Sequence, residues 1–285
     1  MAGFVVSLSS RRARDASVTG GKGAGLARLL KAAFPVPAGF VITTAAFREP
    51  MREALPAGRL DAPVQSLGEG HVQDGSVDAR VLEAARRACL SWTMPDRLRR
   101  SVLGAYRRLG AGPVAVRSSL VGEDSGAASF AGQLDTVLGV DGESALLDAV
   151  RRVLASAFGD RLWAYMRQSR AGTGAPMPAS TPAFPPLSAL SLAVVVQRLV
   201  PAVVSGVAFS ADPITGQNDV VVEAVAGLGE DLVRGRVRPD RFRLDPRGDL
   251  AEVDPALPSG PLLAEADVRA LAKLVRAIAA MSGCP

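Results

Sequence analysis

Thr19-Gly20-Gly21-Lys22-Gly23-Ala24-Gly25 stands directly ahead of a helical pattern that places Leu26, Leu29, Leu30 and Ala33 on one face. Glycines before a helix let backbone N–H groups approach an anion closely, and the helix N-terminus favours negative charge. A lysine adds a mobile point charge. The spacing is not that of a Walker A loop, because no Ser or Thr follows Lys22, and it is not the dinucleotide fingerprint. Read alone, the stretch fits a phosphate loop or a turn with a solvated lysine. Composition favours the first. Lys and Arg together number 33, and only Lys22, Lys31 and Lys273 are lysine. A lysine framed by glycines in so arginine-rich a chain points to a need for an ammonium group.

Outward from that stretch, Pro35 and Pro37 stop the first helix, and 39–43 reads as a short strand. Helices are predicted near 44–54, 77–90 and 95–109, the last with Pro95 and Asp96 in its first turn. Residues 56–76 read as a surface loop. Strands are expected at 113–119 and 135–140, on either side of a small, polar loop at 122–133, and one long helix at 143–169. Residues 170–187 hold five prolines and two glycines and mark a linker. After it the period changes to strands at 191–197, 203–210 and 219–225, then a helix at 264–281. The fold class is therefore α+β, with a first lobe at 1–187 and a strand-rich second lobe at 188–285.

Composition excludes several function classes. Hydrophobic residues make up 48% of the 285, enough for a substantial core. The net charge of +5 is scattered among acids and aromatics are only 5%, so no nucleic-acid surface is expected. The two cysteines, Cys89 and Cys284, are far apart and show neither a disulfide framework nor a metal spacing. The N-terminus lacks the order of a signal peptide. The most apolar run, 187–209, is interrupted by Gln197, Arg198 and Pro201, so no membrane span is expected and the cytoplasm is the expected location.

Four further motifs carry polar groups into apolar surroundings. Arg117 ends the apolar run of Val114-Ala115-Val116, where a guanidinium needs an anion. That anion is either an acid such as Glu123 or Asp124, or a phosphate. Ser129-Phe130-Ala131-Gly132-Gln133, leading to Thr136, allows close backbone approach and offers hydrogen bonds, or is a plain connection. In Ala193-Val194-Val195-Val196-Gln197-Arg198-Leu199-Val200 a buried strand ends in an amide, which suits adenine reading or an ordinary strand leaving its sheet. Asp212-Pro213 with Gly216 is strong turn chemistry. Glu223 interrupts an apolar strand and faces either a cleft or a core arginine.

In their order, GGKGAGL at 20–26, PVPAGFVITTAAF at 35–47, AVRSS at 115–119, ASFAGQ at 128–133, VVVQRLV at 194–200, SGVAFSADPITG at 205–216 and EAVAGLGE at 223–230 resemble one known domain. It is the N-terminal ATP-binding domain of the phosphoenolpyruvate synthase and pyruvate phosphate dikinase family, and the resemblance is nearest to its rifampin phosphotransferase branch. The resemblance runs from about residue 15 onward. It implies an ATP-grasp-like fold with nucleotide between two lobes. It implies that Lys22 and Arg117 act on the phosphates as catalytic and binding residues. It also implies that Gly132 and Thr136 shape the phosphate loop and that Gln197 and the backbone through Leu199 meet the adenine. ATP and Mg2+ are the implied cofactors. The implied reaction passes a phosphoryl group from ATP to a histidine on a separate swivelling domain or chain and then to an acceptor, releasing AMP and phosphate.

Two departures bear on that expectation. The single histidine, His71, lies in a polar loop outside every matched motif. The family's domain ends with a glutamate-bearing helix and an acidic, amide-bearing strand; here Ala279 takes the glutamate's place and the strand is missing. The metal ligands are therefore expected to be mostly absent, and none is assigned. A piece of a larger enzyme, one subunit of a split enzyme, and a degenerate nucleotide-binding or scaffold protein all fit.

Overall fold

The β-branched runs near residues 40, 116 and 195 come together as the centre of one sheet. A computed structural model describes residues 3–47, 79–121, 134–159, 162–164, 191–258 and 260–283. The first sheet has strands β1 (Val5–Ser7), β2 (Gly39–Ile42), β3 (Val114–Leu120), β4 (Thr136–Val140) and β5 (Leu192–Arg198), in the order β1-β2-β5-β3-β4, all antiparallel. β5 pairs with β3 from Val114↔Arg198 to Leu120↔Leu192 and with β2 on its other edge. A strand paired on both edges and covered on both faces has no polar side, which is why Leu192–Val196 is continuously apolar.

Alternation divides the sheet's two faces. Phe40, Ile42, Val114, Val116, Val194 and Val196 share a core with helices drawn from 79–158. Val41, Ala193 and Val195 point the other way, onto Leu26, Ala27 and Leu30 of helix α1 (Ala16–Lys31). The helices of the first face are α2 (Ala79–Ser91), α3 (Asp96–Arg108) and α4 (Glu143–Ala155), packed through Leu98, Val102, Tyr106, Leu146 and Val150.

The helix expected over 143–169 stops early: α4 ends at Ala155 and a 3-10 turn follows at Ser156–Phe158. The Ser156 hydroxyl donates to the Val153 carbonyl at 2.7 Å and accepts from the Asp135 N–H at 3.2 Å, a local alternative to the helical ladder. The turn swings Phe158 into a stack on Phe47, with ring centroids 6.0 Å apart. The helix expected at 44–54 is described only through Phe47, and the loops expected at 56–76, 122–133 and 170–187 lie outside the described residues, as does His71.

The chain divides into two compact units between Leu199 and Val200. The composition break had placed the boundary after 187, which would have moved β5 into the second unit. Its hydrogen bonds to β2 and β3 make it a central strand of the first.

The second unit is a four-stranded antiparallel meander, β6 (Val204–Phe209), β7 (Val220–Ala226), β8 (Asp240–Leu244) and β9 (Leu250–Asp254), with a short helix α5 (Glu230–Val233) between β7 and β8. Helix α6 (Glu265–Ser282) lays Val268 and Ala272 on Val220, Val222, Ala224, Phe242 and Leu244. Glu265 and Asp267 suit its N-terminal turn, and Gly283, at φ 70°, ends it in the left-handed conformation. Among the described residues no helix is long and apolar enough to cross a membrane.

Candidate functional site

Helix α1 begins on a firm cap. The Asp15 carboxylate accepts from the Ser17 N–H at 2.9 Å and from the Ser17 hydroxyl at 2.6 Å, and these bonds hold its pKa below the usual carboxylate value. Four residues into the helix the geometry breaks. Gly20 has φ 70° and ψ 174°, and helical geometry resumes after it. The glycine-rich loop expected at 19–25 is therefore mostly helix, interrupted at one residue.

The cause of the break lies on β3. In a continuous helix the Gly23 N–H would donate to the Thr19 carbonyl, four residues back. Here the buried Ser119 hydroxyl stands between them, accepting from the Gly23 N–H at 3.0 Å and donating to the Thr19 carbonyl at 2.7 Å. A side chain inserted into the ladder kinks the helix. The neighbouring Ser17 carbonyl also accepts from outside the helix, from the Thr44 hydroxyl at 2.9 Å. Only glycine fits at the kink: a Cβ built on Gly20 would lie 2.1 Å from the Ser119 carbonyl oxygen. Thr19, wholly buried, anchors the upstream side through a 2.7 Å bond from its hydroxyl to the Ala13 carbonyl.

Lys22, half-buried, thus sits in the first turn of a restarted helix, between Gly21 and the Gly23 that Ser119 holds. Arg117 lies two residues before Ser119 on the same strand, so its side chain leaves from the same face of the sheet, the face that α1 covers. It stands directly opposite Thr136 on β4 and Val195 on β5. Among the described residues no hydrogen bond or ion pair of the Arg117 guanidinium is present; Glu123 and Asp124 lie outside them. The fold thus ties Lys22, Arg117 and Thr136 to one region through Ser119 and the β3–β4 register. Gly132 lies outside the described residues.

Near the end of β5, opposite Ala115 of β3 and Gly39 of β2, Gln197 is buried, and its amide nitrogen donates to the Pro37 carbonyl at 3.0 Å. The Arg198 and Leu199 N–H groups donate to the Ala38 and Pro113 carbonyls at 2.9 and 3.0 Å. Reading a base through these two N–H groups would require those bonds to open.

In the second unit the Asp-Pro turn is built as its chemistry suggested. The Asp212 carboxylate accepts from the Ile214 N–H at 2.8 Å and the Thr215 N–H at 3.3 Å, and Arg241 lies 3.4 Å away. Those N–H groups, the Ile214 bond first and Arg241 after them, hold its pKa below the ordinary value. Glu223 is directly opposite Arg241 in the β7–β8 register, on the sheet face away from α6. Arg243 bridges Asp219 at 2.8 Å and Glu252 at 3.0 Å. Among the described residues no three His, Cys, Asp or Glu side chains gather as a metal-ligand set, so these residues form no cage for Mg2+.

Ser119 is the residue that sequence reasoning passed over. The signal was a hydroxyl inside a buried strand, which must find a partner. The alternation that sends it to Arg117's face was also in view.

Comparison with known proteins finds similarity over most of the chain. A family model described as the AMP/ATP-binding domain of pyruvate phosphate dikinase matches residues 16–257. The chain is 36% identical over 234 residues to phosphoenolpyruvate synthase of Aeropyrum pernix, covering 79% of this chain and 26% of that protein. It is 32% identical over 299 residues to a probable phosphoenolpyruvate synthase of Methanothermobacter thermautotrophicus, covering 95% and 41%. It is 39% identical over 241 residues to a rifampicin phosphotransferase of a Streptomyces species, covering 83% and 26%. The chain thus spans between about a quarter and two fifths of the length of these curated relatives.

Proposed function

The chain belongs to the pyruvate phosphate dikinase AMP/ATP-binding domain family, and from that membership we propose that it binds ATP and serves the nucleotide-handling step of a dikinase-type phosphotransfer. Lys22 and Arg117 neutralise the phosphates, Thr136 and Gly132 shape the loop around them, and Gln197 with the backbone through Leu199 lies at the adenine end. The phosphoryl group goes from ATP to a histidine on another domain or chain and from there to an acceptor, leaving AMP and phosphate. Magnesium is proposed to arrive on the nucleotide's own phosphates, which is how this small, tightly hydrated ion commonly enters such sites.

One observation carries the reading. Two cationic residues 95 positions apart, at 22 and 117, are tied to one region because Ser119 of the arginine's strand is bonded into the lysine's helix. A lysine in the first turn of a helix, with an arginine on the strand bonded into that helix, suits a triphosphate. The test is calorimetric titration with ATP and a non-hydrolysable analogue. Lys22→Ala and Arg117→Ala should each weaken binding by about tenfold or more, the scale of a lost charge-assisted contact. An unchanged affinity in Lys22→Ala would remove it from the site.

A second reading, a nucleotide-binding or scaffold protein without catalysis, draws on Ala279, which offers no ligand atom where the resemblance places a glutamate. Formation of AMP when ATP, magnesium and a histidine-bearing partner are supplied separates the two.

A further inference from the structure

We propose that Ser119 is a positioning residue for the nucleotide: its hydroxyl wedges α1 open at Gly20 and so creates the helix start from which Lys22 addresses phosphate. The inference rests on the reading of Lys22 as a phosphate ligand and goes beyond it, because Ser119 need not touch ATP.

The wedge is unusual in what it replaces. Gly23 N–H and the Thr19 carbonyl are natural partners in an unbroken helix, and they would bond without help. Ser119 satisfies both groups through one hydroxyl, so the kink gains no hydrogen-bonding group that a straight helix would leave unpaired. It also requires Gly20 in the positive-φ region and a buried hydroxyl in the strand. What the kink does supply is a second helix N-terminus inside α1, with Lys22 in its first turn. A helix start is where N–H groups and positive partial charge face outward along the axis. A continuous helix would bury those groups in the ladder and rotate Lys22 with the turn. The same strand then delivers Arg117 two residues earlier, on the same face. Ser119 therefore fixes the Lys22 turn relative to the strand that carries the arginine.

The consequence separates this role from plain structural support. Removing the hydroxyl lets the Gly23–Thr19 bond form directly, so stability is largely kept while the phosphate-facing turn is lost. In the 285-residue chain, Ser119→Ala should weaken binding of the non-hydrolysable ATP analogue by about tenfold. Its melting temperature should stay within about 4 °C of the parent. In a Lys22→Ala background the same substitution should cost little further, because its effect passes through Lys22. Should Ser119→Ala not fold, Ser119→Cys, of nearly the same volume but with a much weaker donor and acceptor, carries the same cycle. Unchanged affinity in the Ser119 variant overturns the proposal, and so does a loss of equal size in both backgrounds. If Lys22→Ala alone leaves affinity unchanged, the nucleotide reading at Lys22 fails and takes this proposal with it. That outcome is distinct from one in which Lys22→Ala weakens binding and Ser119→Ala does not.

Discussion

Gly20 and Gly25 stand in the same motif and should answer substitution in opposite ways. Gly20 combines φ 70° with a Ser119 carbonyl oxygen 2.1 Å from any added Cβ, so Gly20→Ala meets backbone strain and a collision with the main chain of β3. It should lose at least about 2 kcal/mol in urea unfolding. Gly25 lies in the helical part of α1 with nothing within 4 Å of its absent Cβ. Gly25→Ala should gain roughly 0.5–1 kcal/mol from helix propensity alone. Equal effects at the two sites would mean that the kink is not where the structure puts it. Lys22 and Arg117 were legible because each is the wrong residue type for its surroundings: a lysine in an arginine-rich chain, an arginine in an apolar strand. The kink was not legible, since its cause is a hydroxyl 100 residues from its acceptor and nothing in a run of glycines announces where a helix breaks.

Among the elements, those with a strong period were read to within a residue or two, including α2, α3, α6 and the paired strands β3 and β5. β8 escaped although its Asp-Arg-Phe-Arg-Leu alternates buried and half-buried. Its outward positions are arginines whose partners, Asp212 and Asp219, precede it by more than twenty residues. β9 is an edge strand with mostly exposed side chains and carries no apolar pattern to find. The β6–β7 connection makes a prediction at this scale. Asp212 organises the turn as a carboxylate, and its folded pKa lies below the ordinary value. A depressed folded pKa contributes stability above the unfolded value of about 4, lost as pH falls through the folded one. Asp212→Asn, which keeps one acceptor and removes the charge, should thus be less stable than the parent near neutrality. The gap should close as the solution is acidified below that range. Urea midpoints for both proteins across acid and neutral pH test this, and a gap that persists or widens in acid would show that the charge is not what matters.

For the molecule as a whole, the boundary follows hydrogen bonding rather than composition. The proline-rich stretch at 170–187 invited a division there, yet the strand after it is the most deeply paired in the first sheet, and the units part at Leu199–Val200. No local property of Leu192–Val196 distinguishes a strand that opens a new sheet from one that returns to an old one; only the vacancy between β2 and β3 decides it. Each unit has its own core. The large cluster around Leu146, Tyr106 and Val194 lies wholly before the boundary, and the cluster around Phe242, Val222 and Val268 wholly after it. Because the clusters share no residue, damage to one should register as loss of one cooperative unit. Leu146→Ala, at a fully buried site, should cost about 2–5 kcal/mol, and Phe242→Ala about 3–5 kcal/mol. In differential scanning calorimetry each substitution should move a different transition, Leu146→Ala that of residues before the boundary and Phe242→Ala that of residues after it. Hydrogen exchange identifies which is which, since loss of protection in β6–β9 should accompany only the second. If both substitutions shift one common transition, the two cores unfold as one cooperative unit, and the division at Leu199 is one of geometry and not of stability.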